Sequence, residues 1–349
     1  MSASGGRVVG VQAPVVLAVD GNSLVHRSYH AQAHSAQPSW AVRGLLTQLV
    51  AAVDRIRPTA VVVGFDDPVR SERRERWPGY KANRIEKLDT LVEQLVEAVA
   101  AMRELGVAVV VPDGLEADDV LASAAAFARQ VGGRTVVVTS DRDAFALIGE
   151  GTSVLRIING GVEASPLMTP ERLVLLLGVR PEQYRDFAAL RGDPSDNLPG
   201  VRGVGPRIAA RLLAAFGSAA AAFDDLAAVR AQLGVGVAQR LTHPDARSAW
   251  ELNCQVMAMR SDVCLDLDLR SGLGVLPLRA DVVGAVFRAR NLTWSAGQAV
   301  RILAEVEPEA VDVRPAVIDD DRGWWGSRAP RRLPKLPDRR PVAEQLALF

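Results

Sequence analysis

The sequence predicts an α/β fold in which helices cover both faces of a mostly parallel central sheet. Short apolar runs rich in β-branched residues recur through the first half of the chain, and longer helix-like stretches separate them. Strands that lie inside a parallel sheet have this continuous apolar character. Acidic residues also follow several of the runs, and such sheets bind ligands beyond the carboxyl ends of their strands. These observations indicate one cleft at one edge of a sheet.

The predicted elements alternate along the chain. The strands are at residues 15–19, 60–65, 107–111, 135–138 and 154–158, and the helices are at 42–56, 88–105, 117–130 and 143–148. After about residue 165 only helices are predicted, at 170–177, 181–190, 246–259 and 280–290. The first two of these later helices begin with proline, which suits the first turn of a helix.

Four regions follow from this pattern. Residues 1–13 are small and weakly apolar and are predicted to be a flexible arm, and residues 14–165 form the α/β domain. Residues 166–306 are predicted to form a helical domain. Residues 307–349 are rich in proline, arginine and aspartate without apolar periodicity, which is typical of a disordered tail.

Composition narrows the class of protein. The formal net charge of the 349 residues is zero, so any binding of nucleic acid must use local basic patches. Arginine outnumbers lysine 38 to 3, which indicates a GC-rich genome and carries no functional meaning. The two cysteines, Cys254 and Cys264, lack metal-ligand spacing, and no apolar run is long enough to span a membrane. We therefore expect a cytoplasmic protein with reduced thiols.

Nine carboxylates lie at predicted strand ends or in the first turns of helices. They are Asp20, Asp66, Glu116, Asp118, Asp119, Asp141, Asp143, Asp193 and Asp196. Carboxylates that converge on one cleft repel one another and stay ionised only when cations lie between them. Ligation by oxygen alone favours hard divalent ions such as Mg²⁺ or Mn²⁺. The pattern indicates metal-dependent chemistry on phosphates, although acids in a first helical turn also complement the helix dipole.

Five separated segments resemble the bacterial and phage 5′-nuclease family, which includes the 5′-nuclease domain of family-A DNA polymerases and the flap endonucleases. The segments are Val19-Asp20-Gly21-Asn22 with Arg27 and His30; Phe65-Asp66 followed by Arg73 and Gly79-Tyr80-Lys81-Ala82-Asn83-Arg84; Leu115-Glu116-Ala117-Asp118-Asp119; Thr139-Ser140-Asp141-Arg142-Asp143; and Gly192-Asp193-Pro194-Ser195-Asp196-Asn197-Leu198-Pro199-Gly200-Val201. They cover roughly residues 14–300 in the family's order and spacing. The resemblance implies a PIN-like sheet flanked by helices, a helical arch at about 67–104 and a helix-hairpin-helix at about 193–216.

Members of this family hold a pair of divalent metal ions between two groups of carboxylates. The resemblance implies that the first group is Asp20, Asp66, Glu116, Asp118 and Asp119, and that the second is Asp141, Asp143, Asp193 and Asp196, some acting through water. One ion would lower the pKa of the attacking water, and both would stabilise charge on the phosphate and the departing 3′ oxygen. No family carboxylate is missing, which argues against a non-catalytic relative, and Asp141 is the sharpest residue to test.

A glycine-rich turn follows the last pair of acids. Gly200, Gly203 and Gly205 can expose backbone N–H groups to a phosphate, although a plain turn has the same composition. The turn resembles the family's helix-hairpin-helix, which grips the duplex backbone and often binds K⁺ through carbonyl oxygens. Arg207 stands where a lysine is usual, so the positive charge is kept.

The basic stretch at residues 70–81 interleaves arginines with acids, which by itself fits a solvated helical face. In the family this stretch is part of an arch that admits a free 5′ end or flap. The resemblance implies that Arg73, Lys81 and Arg84 hold the scissile phosphate and that Tyr80 stacks on an unpaired base. Arg27 would contact a further phosphate.

The chain ends in Gln345-Leu346-Ala347-Leu348-Phe349, which resembles the Gln-Leu-x-Leu-Phe peptide that docks bacterial replication and repair proteins on the sliding clamp. Leu348 and Phe349 would fill an apolar pocket, and Gln345 would form a hydrogen bond at its rim. An apolar end without function is the alternative.

The resemblance as a whole implies a stand-alone, monomeric 5′-nuclease of the nucleoid that uses Mg²⁺ or Mn²⁺. Its substrates would be DNA with 5′ flaps, free 5′ ends or single-strand/duplex junctions, with RNA primers as a further substrate, in replication and repair. Two other classes stay open: a related acidic ribonuclease, and a non-catalytic DNA-binding or clamp-tethered scaffold. The glycine hairpin and the arch stretch favour DNA over RNA.

Overall fold

A six-stranded sheet forms the centre of the computed structural model, which describes residues 13–31, 38–84 and 86–305. The strands lie in the order β3-β2-β1-β4-β5-β6 and are β1 Val15–Asp20, β2 Ala60–Gly64, β3 Ala108–Val110, β4 Arg134–Thr139, β5 Thr152–Arg156 and β6 Leu167–Met168. Neighbouring strands are parallel except for β5 and β6. The predicted mostly parallel sheet is confirmed, and β6 was not predicted because two residues leave no periodic pattern.

The central strands are apolar because both of their faces are covered. Every residue of β1 and of β2 is buried. Helix α5 (Ala117–Gln130) packs against β1, β2 and β4, whereas α1 (Gly21–Ala31), α2 (Trp40–Ile56) and α4 (Asp89–Leu105) pack against one another. Right-handed crossovers place these two sets of helices on opposite faces of the sheet.

The strand order reverses between β1 and β4, so this position is the switch point of the sheet. Asp20, the last residue of β1, pairs in register with Gly64 at the end of β2. Val19 pairs with Val138, and β4 ends one residue later. The carboxyl ends of three strands therefore lie at one level, and open α/β sheets bind their ligands in the crevice outside such a switch point.

The remaining helices follow in chain order. They are α3 Glu72–Arg76, α6 Gly161–Ala164, α7 Pro170–Leu177, α8 Tyr184–Arg191, α9 Pro206–Phe216, α10 Ala219–Asp224, α11 Leu226–Leu233, α12 Val235–Leu241, α13 Ala246–Val256, α14 Ala280–Ala289 and α15 Thr293–Val300. Two predicted helices differ in type. Residues 143–148 contain a 3₁₀-helix, Asp143–Leu147, and residues 181–190 begin with a 3₁₀ turn, Pro181–Gln183, that leads into α8.

The segment expected to hold the helix-hairpin-helix begins with strands. Strands β7 Gly192–Asp193 and β8 Leu198–Pro199 pair antiparallel around a 3₁₀ turn, Pro194–Asp196. The helix that precedes them and packs against α9 is α8. A Cβ atom on Gly200 would lie 2.1 Å from the carbonyl oxygen of Arg191, so the backbones can cross here only because residue 200 is glycine.

The chain returns to the sheet after α13. Val275 forms an antiparallel bridge with Ala60, and the N–H of Val61 donates to the Gly274 carbonyl. Helix α14 then packs against α4. Residues from about 274 onward therefore cover the α/β region and do not extend the helical region, unlike the predicted domain division. Within the described residues, no helix is long and apolar enough to cross a membrane.

Candidate active site

Three strand ends bring Asp20, Asp66 and Asp141 to one edge of the sheet. Asp20 is 5% exposed, and its carboxylate accepts hydrogen bonds from the Ser23 N–H at 2.8 Å and from the Thr139 hydroxyl at 2.7 Å. Burial raises the pKa of Asp20 to about 7, and the charges of Asp66 and Asp141 add to this rise against the two hydrogen bonds. The Asp20 carboxylate therefore lies among negative charges that the protein leaves uncompensated.

Asn22 holds Asp66 in place, a role that the sequence did not suggest. Its amide nitrogen donates to Asp66 Oδ2 at 2.8 Å, and its carbonyl oxygen accepts the Asp66 N–H at 3.0 Å. Asp66 Oδ1 accepts the N–H of Ala117, the first residue of α5, at 2.9 Å. The signal that could have identified Asn22 is its place two residues after Asp20, where a polar side chain lies above the neighbouring strand ends.

Asp118 and Asp143 increase the negative charge at this edge. Burial raises the pKa of Asp118 well above its ordinary value, and the charges of Asp141 and Asp20 raise it further. Burial also raises the pKa of Asp143 to about 7, with contributions from Asp141 and Asp193. Carboxyls that interact in this way cannot all be ionised unless cations lie near them.

Asp141 and Asp193 line one cavity of about 550 Å³, together with Arg142 and Arg191. Asp193 caps the 3₁₀ turn that follows it, because its carboxylate accepts the N–H and the hydroxyl of Ser195 at 2.8 and 2.7 Å. The loop after α8 therefore faces the end of β4. Asp141, which follows β4, and Asp193, which follows α8, therefore meet at this cavity.

Glu116 lies among cations of the arch segment. Its carboxylate accepts hydrogen bonds from Arg73 Nη1 at 2.9 Å, the Tyr80 hydroxyl at 3.0 Å and Lys81 Nζ at 3.0 Å. Burial alone would raise the pKa of Glu116, but Lys81 and Arg73 outweigh burial, so the pKa is lowered. Glu116 is therefore ionised and balanced by positive charge from the protein itself.

Arg73 and Asp119 form a closed internal pair, and this placement corrects the roles expected for both. Asp119 is 0% exposed, and its oxygens accept both Nη groups of Arg73 and two backbone N–H groups, those of Glu116 and Arg260. The other donors of Arg73 reach Glu116 and the carbonyl oxygens of Val256 and Ala258. All five guanidinium N–H groups thus have acceptors. No N–H group of Arg73 is left for a scissile phosphate. Asp119 has no exposed surface and therefore lies behind the cleft, where Arg73 provides the paired cation that a fully buried carboxylate needs.

The rest of the arch segment docks on the loop between β7 and β8. The N–H of Lys81 donates to the Asp196 carbonyl at 2.9 Å, and the Arg84 guanidinium pairs with the Asp196 carboxylate. Asn197 Nδ2 donates to the Gly79 carbonyl at 2.8 Å. Lys81 and Arg84, which were predicted to hold phosphate, are therefore each paired with a carboxylate that was predicted to hold metal.

Tyr80 is buried, which corrects the expectation that its ring is open to an unpaired base. The residue is 6% exposed and packs against Leu198 and Val256. Lys81 Nζ lies 4.7 Å from the centre of the ring, and the hydroxyl of Tyr80 donates to Glu116. The ring supports the base of the arch in this arrangement, because apolar neighbours cover its faces and Glu116 accepts the hydrogen bond of its hydroxyl.

The side chains at the acidic edge have the ligand atoms that divalent cations prefer, although they are not arranged to bind a cation as they stand. All of the ligand atoms are carboxylate oxygens. Burial, and then repulsion by neighbouring carboxylates, raises the pKa values of Asp20, Asp118 and Asp143, and a bound cation would offset both effects. Among residues 13–31, 38–84 and 86–305, no three carboxylate, imidazole or thiol side chains form a group that could hold a metal ion as they stand. Cation binding would therefore require these side chains to reorient.

The glycine hairpin lies between β8 and α9. Gly205 is the N-cap residue of α9, and Arg207 is exposed in the first turn of this helix. Gly203 has a φ of +77°, and a Cβ atom there would lie 2.8 Å from Arg240 Nε. The side chain of Arg240, on α12, thus lies over the hairpin. No local pattern indicates this contact, because the two residues are far apart along the chain.

The remaining predicted residues lie elsewhere or outside the described chain. Arg27 donates to Asn159 Oδ1 at 2.9 Å and lines a separate cavity of about 620 Å³ together with Arg43. The predicted clamp-binding residues Gln345, Leu346, Leu348 and Phe349 lie outside the described residues.

A doubly wound sheet with an acidic switch point, followed by a helical region with a glycine hairpin, defines an α/β protein of the PIN-like nuclease class. Comparison with family models identifies the family. The model described as "5'-3' exonuclease, N-terminal resolvase-like domain" matches residues 15–175, and "5'-3' exonuclease, C-terminal SAM fold" matches residues 179–277. The chain belongs to the 5′-3′ exonuclease family, which confirms the resemblance seen in the sequence.

Curated relatives match over part of their length. The chain is 38% identical to DNA polymerase I of Mycobacterium bovis over 227 residues, which cover 63% of this chain and 25% of the relative. It is 35% identical to the thermostable DNA polymerase I of Thermus thermophilus over 261 residues, which cover 74% of this chain and 30% of the relative. The chain thus spans about a quarter to a third of the length of these polymerases.

Solved structures share the fold at low sequence identity. The zinc-bound T5 5′-exonuclease matches with a TM-score of 0.55 and 16% identity over 83% of this chain and 94% of its own. The catalytic core of Rad2 in complex with DNA substrate matches with a TM-score of 0.55 and 16% identity over 84% of this chain and 92% of its own.

Proposed function

We propose that this chain is a structure-specific 5′-nuclease that hydrolyses DNA phosphodiester bonds near junctions between single and double strands. The observation that carries the proposal is the convergence of buried and partly buried carboxyls with raised pKa values at the switch point of the sheet. Membership of the 5′-3′ exonuclease family supports the reaction class. The relatives with the same fold are a metal-bound exonuclease and a DNA-bound nuclease core, which supports divalent cations and DNA as the ligands.

The side chains that would hold the cations are those at the acidic edge whose oxygens are not committed to arginine or lysine. They are Asp20, Asp66, Asp118, Asp141, Asp143 and Asp193, with Glu116 and Asp196 joining when they leave their present partners. We expect Mg²⁺ or Mn²⁺, since the donors are hard oxygens. When bound, such cations lower the pKa of water and stabilise charge on the phosphate and the departing 3′ oxygen.

Lys81 and Arg84 would hold the scissile phosphate by exchanging acceptors. Lys81 Nζ is 3.0 Å from Glu116 Oε1, and Arg84 pairs with Asp196, so both cations already lie beside the acidic edge. A phosphate offers the same kind of charge-assisted hydrogen bond as a carboxylate. Lys81 and Arg84 would therefore lose little stabilisation of their positive charges when a phosphate replaces the carboxylates. Glu116 and Asp196 would then be free to bind cations.

The hairpin and the chain end extend the proposal to partners. Gly203, Gly205 and Arg207 would contact the duplex backbone, with K⁺ as a further ion at the hairpin carbonyls. Free 5′ ends and 5′ flaps are the proposed substrates, with RNA primers as a further 5′ strand, in replication and repair in the cytoplasm. Residues 345–349 would dock on a sliding clamp, and their deletion should abolish clamp binding while nuclease activity stays unchanged.

A labelled 5′-flap DNA tests the nuclease directly. The wild-type protein should release the flap with Mg²⁺ or Mn²⁺, and the Asp141→Asn variant should lose about a hundredfold or more of the rate, since a metal-holding charge is gone. Asp141 is exposed, so the substitution should not disturb folding. An intact flap after incubation of folded wild-type protein with several divalent metals would reject the proposed function.

A further inference from the structure

Asn253, on α13, is a fully buried polar residue that belongs to none of the sequence motifs. It is 0% exposed, and its side-chain nitrogen donates hydrogen bonds to the carbonyl oxygens of Ala189 and Pro199, each at 2.9 Å. Its Oδ1 is buried and has no hydrogen-bond partner among the described residues. An unpaired buried acceptor costs stability, so packing alone would favour a leucine of similar size. The two bonds of the nitrogen are therefore what distinguish asparagine from an apolar residue at this position.

The two carbonyl groups lie on either side of the loop that carries Asp193 and Asp196. Ala189 belongs to the last turn of α8, and Pro199 is the last residue of β8. Between them, β7 and β8 pair antiparallel and form the stem of the loop. Asn253 holds both ends of this stem on α13, so its two bonds fix the base of the loop that carries the acids.

Helix α13 is also joined to acids of the first group. The carbonyl oxygen of Val256, its last residue, accepts a hydrogen bond from Arg73 Nε at 3.2 Å. The same guanidinium donates to Glu116 and Asp119 at the start of α5, at 2.9 and 2.7 Å. A continuous set of contacts therefore runs from the loop of the second group, through Asn253 and α13, to the first group.

We propose that Asn253 is a positioning residue that fixes the separation of the two groups of acids. Asp193 lines the same cavity as Asp141, so a small shift of the loop changes the distance between their oxygens. Mg²⁺ demands a nearly ideal arrangement of its ligands, and side chains can adopt that arrangement only on a backbone that is held in place. Asn253 touches neither cation nor DNA and acts through the loop. The inference rests on the proposed nuclease function and names a residue that shapes its cation site.

Binding of Mn²⁺ in the absence of DNA tests this role separately from cleavage. Asn253→Leu keeps the size of the side chain and removes both donors together with the unpaired acceptor. Loss of a residue that orients metal ligands weakens metal binding by about 10–100-fold, so at least one Mn²⁺ should bind about tenfold more weakly. Electron paramagnetic resonance of free Mn²⁺ measures this affinity. The Mg²⁺ concentration for half-maximal flap cleavage should rise by a similar factor, while the KM for DNA stays within about twofold of wild type.

Gln183→Met is the matched control. Gln183 is 3% exposed, and its amide nitrogen also donates to two carbonyl oxygens, those of Leu213 and Gly217, each at 2.9 Å. These bonds join the start of α8 to the end of α9 and do not reach the loop. The control loses the same kind of buried hydrogen bonds, but it should keep the Mn²⁺ affinity of wild type. Equal weakening of Mn²⁺ binding in the two variants, or wild-type affinity in Asn253→Leu, would overturn the proposal.

Asn253→Ser covers the case in which the leucine variant fails to fold. A serine hydroxyl can donate to one of the two carbonyl groups and leaves room for water at the other, so Mn²⁺ binding should weaken by about threefold. Wild-type affinity in a folded Asn253→Ser would contradict the assigned role. If wild type binds Mn²⁺ and cleaves flaps while both variants match it, only the role of Asn253 fails. If wild type neither binds Mn²⁺ nor cleaves flaps, the nuclease proposal fails first, and this inference fails with it.

Discussion

Replacement of Arg73 by alanine should destabilise the protein strongly, although the residue was predicted to hold phosphate. The change removes five hydrogen bonds, three to carboxylate oxygens and two to backbone carbonyls. It leaves Asp119, which is 0% exposed, with only the N–H groups of Glu116 and Arg260. Breaking a buried ion pair by removing one partner costs about 3–5 kcal/mol. We expect a loss of this size in the free energy of unfolding.

Urea unfolding followed by circular dichroism measures the loss. Arg74→Ala is the matched control, since Arg74 is an exposed residue of the same helix, α3, and its change should stay within about 0.5 kcal/mol. Replacement of the whole pair in Arg73→Met/Asp119→Leu should recover much of the loss, because no unpaired charge stays buried. A loss below about 1 kcal/mol in Arg73→Ala, together with a raised KM for DNA, would refute the structural role and favour phosphate contact.

Two further predictions concern the acidic edge and the backbone. The carboxyls of Asp20 and Asp143 have pKa values of about 7, so between about pH 4 and pH 7 the folded protein binds more protons than the unfolded chain and loses stability as the pH rises. Mg²⁺ should therefore raise the Tm more at about pH 8 than at about pH 5.5 in scanning fluorimetry, and an equal shift at both would contradict the assignment. Gly203→Ala should lower the free energy of unfolding by about 1–2 kcal/mol, because φ is +77° and a Cβ atom would lie 2.8 Å from Arg240 Nε, so the Arg240 side chain would have to move. Gly297 lies in open space within α15, so Gly297→Ala should raise the free energy of unfolding by about 0.5–1 kcal/mol. Urea unfolding measures both changes, and a change of the same sign in the two variants would contradict this reasoning.

The sheet could be predicted because its strands are buried on both faces. The continuous apolar character of β1, β2 and β4 identifies them without knowledge of their partners, and the acids after them identify the ligand-binding edge. Helix α1 left no such pattern, since its buried side includes Gly21 and Ser28 beside three larger residues. Small and polar residues can face a core when neighbouring helices come close, and only the packed structure shows this.

The position of the acidic edge could be predicted, but the burial of Asp119 behind it and the partners of its side chains could not. The order of the carboxylates indicated one cleft, and the structure places Asp20, Asp118 and Asp143 where their charges interact. The pairing of Asp119 with Arg73 depends on carbonyl oxygens at the end of α13, far away in the sequence. A local pattern carries no information on such distant acceptors, so an arginine of the arch was assigned to phosphate when the protein itself uses it.

The distribution of cations around the acidic edge gives the cleft two unlike sides. Toward the arch, Glu116 and Asp196 are balanced by Lys81 and Arg84 at hydrogen-bonding distance. Toward the sheet, burial raises the pKa of Asp20 and Asp118, neighbouring carboxylates raise it further, and neither carboxylate has an arginine or lysine at hydrogen-bonding distance among the described residues. Burial raises the pKa of Asp196 as well, although Arg84 and Lys81 act against this rise. Attraction falls with distance but acts before contact, so a divalent cation would be drawn to the sheet side and a phosphate to the arch side. The charges would therefore direct the two ligands of the proposed reaction to opposite sides of the cleft before either touches a side chain. The scissile phosphate would then lie between the cations of the arch and the metal ions bound at the sheet.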